Sequence, residues 1–116
     1  MTKLAQLIEK QEGFGLPGKI PTIRHNPGDL RHSPHSEHPG GPAHKEDIGT
    51  IDNDADGLAD LERQLQIFAA EGMTLRQMIF TVWAPPCEND SQGYLNFVCH
   101  GLGVDPETLV SEALKL

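Results

Sequence analysis

Basic residues and aromatics are scarce in this chain of 116 residues: nine Lys and Arg stand against 17 Asp and Glu, for a formal net charge of −8. That balance argues against a nucleic-acid partner, because a polyphosphate is held by a basic face that releases its counterions. Four Phe, one Trp and one Tyr leave the core to be built from aliphatic side chains. Cys87 and Cys99 are the only cysteines, and their spacing fits no metal motif. They read as free thiols. No apolar run approaches the roughly 18 to 20 residues that cross a bilayer. Residues 1–10 follow an amphipathic helical pattern rather than that of a charged-then-apolar leader. The expectation is therefore synthesis in the cytoplasm without a signal peptide, and no membrane span. What is plentiful is Gly and Pro, 12 and 9 residues, so much of the chain must be loop. The length suits a single domain, 1–116, with one core, and no repeat is visible.

Apolar periodicity places the helices. Leu4, Ala5, Leu7 and Ile8 recur at helical spacing over residues 2–12, with Thr2 as N-cap. Leu58, Leu61, Leu65 and Phe68 form one stripe over 56–71, capped by Asp54 or Asp56 near Gly57 and ended by Gly72. Thr74 opens a further helix over 75–82 whose Leu75, Met78, Ile79 and Val82 mark a core face, and Pro85 and Pro86 stop it. Asp90 or Ser91 caps a helix to about residue 100 with Tyr94, Phe97 and Val98 inward, closed by Gly101 and Gly103. Asp105 or Thr108 opens a short last helix through Leu109, Val110, Ala113 and Leu114. The pattern predicts an α-rich α+β fold: helices around a cleft, with a small irregular or two-stranded lobe.

Residues 13–47 hold most of the Gly, Pro and His with almost no apolar periodicity. Within them, 32–46 reads as a solvated His/Pro/Gly-rich insertion. His32, His35, His38 and His44 lie there on too flexible a stretch to preorganise a metal site. Residues 47–52, with Ile48, Thr50 and Ile51, read as a short strand or hairpin remnant. Asp52, Asp54, Asp56 and Gly57 imitate the start of a calcium loop, but its closing position holds Arg63 instead of a bidentate Glu. Helix capping is the better reading, and neither a metal nor a cofactor is expected.

The chemistry concentrates in Glu12-Gly13-Phe14 and Asn26-Pro27-Gly28-Asp29-Leu30-Arg31. Glu12 sits at the last turn of its helix, where the backbone carries partial negative charge. With Phe14, Leu16 and Ile20 near in sequence, both that field and an apolar setting push its carboxyl toward the neutral form of a general acid. Glu9, a turn earlier, is its rival. Asn26-Pro27-Gly28 reads as a tight turn, with Pro27 fixing φ and Gly28 free to take positive φ. The Asn26 side chain either only initiates that turn or, turned inward, holds the backbone or a ligand group.

An apolar helix ending in Glu-Gly-Phe, a Gly/Pro loop and then Asn-Pro-Gly-Asp-Leu-Arg resembles the lysozyme-like proteins of phages and prophages, a group of endolysins, virion-associated muramidases and lytic transglycosylases. Trp83-Ala84-Pro85-Pro86-Cys87-Glu88-Asn89-Asp90, followed by Tyr94, is similar to the Ala-Pro-Pro-Ser-Glu-Asn-Asp-Thr segment of the same group. The resemblance implies a lysozyme-like fold and cleavage of the peptidoglycan glycan strand between N-acetylmuramic acid and N-acetylglucosamine. Glu12 would be the catalytic acid, and Asn26, Asp29, Glu88, Asn89 and Tyr94 would line the cleft. This chain departs from the family in carrying Asp29 where Asn is usual, and Ile48 and Ile51 where aromatics are usual. A single Glu without a fixed Asp partner leans toward a lytic transglycosylase, in which the 6-hydroxyl of the muramic acid attacks and the same Glu acts as acid and then base. A hydrolysing muramidase is the alternative, with Asp29, Asp47 or Asp52 as second carboxylate. Such an enzyme, expected as a monomer, would reach the periplasmic wall through a holin, a virion or a secretion machine. Two other classes stand beside it: a virion or tail component that binds glycan without cutting it, and a small metal-regulated interaction module.

Overall fold

The computed structural model describes residues 1–23, 25–28, 50–51, 53–83 and 90–116, the side chains of Ile20 and Ile23 apart. Asp29, Glu88, Asn89, Cys87, Asp47, Asp52 and the His-rich insertion at 32–46 lie outside the described residues.

Helix α1, Lys3–Glu12, starts where Thr2 Oγ1 accepts the Ala5 amide at 3.2 Å. It ends where Gly13 takes a left-handed φ of 86° and the Phe14 amide donates to the Glu9 carbonyl at 2.9 Å. Its buried stripe is Leu4, Ala5 and Ile8, while Gln11 is exposed. A series of turns then leads into the single helical turn α2, Ile20–Ile23.

Helix α3, Asp54–Ala70, begins earlier than its apolar pattern indicates. Asn53, not Asp54 or Asp56, is the cap: its Oδ1 accepts the Asp56 amide at 2.9 Å. The two aspartates instead occupy the first turn, where carboxylates meet the positive end of the helix dipole. Leu61, Leu65 and Phe68 are buried as expected, Leu58 only partly, and Gly57 and Asp60 join the buried face. Gly72, at a φ of 76°, reverses the chain.

Thr74 and Gln77 form a reciprocal capping box that opens α4, Leu75–Met78. A π-helical segment, Ile79–Trp83, continues it. The wider turn changes which side chains point inward. Ordinary α spacing from Leu75 would bury Val82, yet Val82 is exposed and Trp83 is buried in its place.

Helix α5, Ser91–Leu102, is capped by Asp90 and closed by Gly103 in the left-handed region. Tyr94 and Val98 are buried and Phe97 partly so. Gly101 lies inside the helix, and its lack of a side chain accommodates Leu7 of α1, whose Cδ2 would stand 2.6 Å from a Cβ there. Asp105 does not cap the last helix: its Oδ1 accepts the Glu107 amide at 2.7 Å and shapes the turn before it. Thr108 does not either. Helix α6, Val110–Ala113, follows Leu109 without a side-chain cap. An antiparallel bridge between Thr74 and Leu109, with Leu75 N donating to Thr108 O at 2.9 Å, ties it to the start of α4.

These helices share one aliphatic core. Helix α1 packs on α5 and α3, α6 packs on α3, and the π-helical segment packs on α5. Burying a Leu or Ile side chain contributes about 1.5–3 kcal/mol, so Leu4, Ile8, Leu61, Leu65, Leu75 and Leu95, none with any exposure, carry much of the stability. The fold is α-rich, as the periodicity predicts. Strand-like pairing is small: Thr74 and Leu109 form an antiparallel bridge, and of the expected hairpin Thr50, in a bridge conformation, and the buried Ile51 are described.

Candidate functional site around Glu12 and Asn26

Glu12 is the last residue of α1 and is half-buried. The apolar shelter expected around it is incomplete: Phe14 is half-buried, but Leu16 is 55% exposed. Beyond Glu12 the chain folds back on itself. Thr22 Oγ1 accepts the Gly15 amide at 2.8 Å and reaches the Gly13 carbonyl at 3.5 Å. The Asn26 amide then donates to the Pro21 carbonyl at 2.8 Å. Thr22 thus ties the residue after Glu12 to the approach to Asn26, so both belong to one local unit.

The turn Asn26-Pro27-Gly28 is buried, with Asn26 fully so. It is gripped from two sides. On one, Gly57 of α3 lies against the His25 carbonyl, and a Cβ there would also stand 2.8 Å from Pro27 Cδ. On the other, the Trp83 indole donates its Nε1–H to the Gly28 carbonyl at 2.7 Å, a buried bond. Trp83 is held in turn by an edge-on contact with Phe68, ring centroids 5.7 Å apart at 87°. Trp83 is the first residue of the second quoted segment, so this bond joins the two stretches that carry the resemblance.

Two pairings across the chain were not legible from sequence. His25 Nδ1 lies 2.6 Å from Asp54 Oδ1, and His25 has a left-handed φ of 52°. Glu62 of α3 accepts both the amide and the hydroxyl of Thr2, at 2.7 and 3.0 Å. Glu9 faces the same region: its Oε2 is buried without a hydrogen-bond partner among the described residues. Burial, and then the negative charge of Glu62, push the Glu9 carboxyl above the usual carboxylate range. Both Glu9 and Glu12 are half-buried on α1.

Tyr94 is buried on α5, with its hydroxyl oxygen below the surface. Asp60, buried and one helical turn beyond Gly57, is a polar residue of this region that the apolar pattern of α3 does not signal. The calcium-loop motif is replaced by helix: Asn53 caps α3, and Asp54 to Gly57 form its first turn rather than a loop that could wrap an ion. Among the described residues no group of three His, Cys, Asp or Glu could hold a metal. Cys99 is a buried free thiol, pushed up first by burial and then by Asp105. No helix among the described residues is long and apolar enough to cross a membrane.

No family model, curated protein or solved structure matches this chain.

Proposed function

We propose that this protein cleaves the glycan strand of peptidoglycan between N-acetylmuramic acid and N-acetylglucosamine as a lysozyme-like lytic transglycosylase, with Glu12 as general acid and then base. The observation that carries the reading is the fastening of Glu12 and the Asn26 turn into one unit by Thr22, with that turn fixed on α3 and Trp83. A protonated Glu12 would donate to the glycosidic oxygen as the bond to C1 breaks and its electron pair leaves with that oxygen. The resulting carboxylate would take the proton of the muramic acid 6-hydroxyl as that oxygen attacks C1, leaving a 1,6-anhydro end. A muramidase of the same fold differs only in admitting water at that step.

A second reading has an observation of its own. Burial and Glu62 hold the Glu9 carboxyl toward its neutral form, and its Oε2 is buried without a hydrogen-bond partner among the described residues. Glu9 as the acid, with Glu12 in a supporting role, is therefore the rival assignment. The wall is reached, on either reading, by delivery through a holin, a virion or a secretion machine. A net charge of −8 gives the protein no electrostatic attraction to an anionic wall.

The test is digestion of purified peptidoglycan by the wild type, Glu12→Gln and Glu9→Gln, with the muropeptides read by mass spectrometry. Anhydro-muramyl products lost only in Glu12→Gln establish the proposal, loss only in Glu9→Gln transfers the role, and reducing ends identify a muramidase. Absence of release by any of the three, with glycan still bound, would replace the enzyme by a glycan-binding component.

A further inference from the structure

The His25–Asp54 pair is set up more firmly than its place on the surface requires. The backbone of His25 is left-handed, a conformation uncommon for any residue with a Cβ, although His enters it more readily than most. It is nonetheless locked: the His25 carbonyl rests on Gly57, and the next residue, Asn26, is fully buried. The imidazole is fixed as well, by Asp54 in the first turn of α3 at 2.6 Å. A carboxylate only accepts hydrogen bonds, so Nδ1 must carry the proton whatever the charge of the ring. That leaves Nε2 as the nitrogen with a lone pair, and it makes no hydrogen bond among the described residues.

Stability does not account for this arrangement. Both side chains are well exposed, 43% for His25 and 60% for Asp54, and exposed ion pairs add little net stability. A glycine at position 25 would meet the backbone requirement without strain. Strain held by the surrounding structure, beside a preoriented polar group, is the pattern of a ligand-contacting position.

We propose that His25, oriented by Asp54, contacts the glycan directly, its outward Nε2 hydrogen-bonding a sugar hydroxyl next to the Asn26 turn. The inference rests on the glycan reading given above, and names a residue that neither quoted segment contains. Asp54 acts through His25 as a positioning residue.

Binding is measured so that chemistry does not intrude. In a Glu12→Gln background, titration of a peptide-free peptidoglycan tetrasaccharide is followed by calorimetry at pH 7.5. His25→Gly, which relieves the backbone and so keeps the fold, is expected to weaken binding about 10-fold, the effect of losing one hydrogen bond. Its melting temperature should stay level or rise. Asp54→Asn should weaken binding several-fold, because the imidazole is no longer held in one tautomer, and the double variant should be no weaker than His25→Gly alone. Unchanged affinity in His25→Gly, while the background protein binds, overturns the inference and leaves the glycan reading standing. An affinity loss matched by a fall in melting temperature also overturns it, since that assigns the pair to the fold. If the background protein binds no tetrasaccharide and the wild type releases no muropeptide, the glycan reading itself has failed.

Discussion

Substituting Ala for Gly57 sets two physical effects of opposite sign against each other. Inside a helix, Ala is favoured over Gly by about 0.5–1 kcal/mol, so propensity alone predicts a more stable protein. The packing predicts the reverse. A Cβ at position 57 would overlap the His25 carbonyl and lie 2.8 Å from Pro27 Cδ. These are backbone and ring atoms of a buried turn, not the free end of a flexible side chain, so relief requires moving the turn away from α3. Overpacking of this kind costs about 1–3 kcal/mol, and with rigid neighbours the upper end applies. After subtracting the helix gain, the expected net loss is about 2 kcal/mol, or roughly 6–10 °C in melting temperature for a domain of this size. Trp83 is the only tryptophan and is bonded to Gly28, so its fluorescence reports on the same turn. Urea denaturation followed by that fluorescence should show a lower midpoint with an unchanged m-value, and a red-shifted native emission as water reaches the indole. A Gly57→Ala protein as stable as the wild type, or more so, would refute the close docking of residues 25–27 on α3.

Trp83→Phe keeps the edge contact with Phe68 but removes the donor to the buried Gly28 carbonyl, leaving an acceptor unsatisfied. A destabilisation of about 2–3 kcal/mol, by calorimetry or denaturation followed by circular dichroism, is expected; a loss within error would mean the indole bond does not hold the turn. Glu9→Gln bears on pH. The folded-state pKa of Glu9 is raised, so the native protein holds this proton more tightly than the unfolded chain does. The associated stability is present in full below the unfolded value near 4.5 and is lost as pH rises through the folded value. Glu9→Gln should therefore gain stability over the wild type at pH 7, with the difference closing toward pH 4. A difference independent of pH would dissociate the effect from ionisation.

The helices were legible because their signals are local. Thr2 and the Leu4, Ala5, Ile8 spacing define α1, and Thr74 with Gln77 defines the start of α4. Where several neighbours could play one part, sequence did not choose. The apolar stripe points to Asp54 or Asp56 as the cap near Gly57, but the helix begins earlier, at Asp54, so the cap is Asn53, an equally good capping residue that the stripe does not indicate. Val82 was misplaced because a π-helical turn shifts the register by one residue, and nothing in Ile79 to Trp83 announces such a turn. At the candidate site, Glu12 and Asn26 stood out through short motifs. The groups that position or perturb that region lie far off in sequence: Gly57 and Trp83 against the turn, Asp54 on His25, Glu62 near Glu9. Tertiary pairings of this kind leave no mark on local periodicity.

The N-terminal half of α3 gives its apolar side to the core through Leu61, its bare Gly57 to the Asn26 turn, and its exposed first turn to His25. Helix α3 also carries Glu62, which anchors the start of α1 through Thr2. Both ends of the Glu12 unit, the head of α1 and the Asn26 turn, are therefore referenced to the same few turns of one helix. That is a way to hold a carboxylate and a distant polar turn in fixed relation using a loop with little apolar content of its own, since a rigid helix can supply the precision that such a loop lacks. It also means that substitutions at Asp54 and Glu62, which contact the unit from outside the buried face of α3, should alter the site geometry before they unfold the domain, whereas losses in the α5 and α6 core should lower stability without a selective effect on the site.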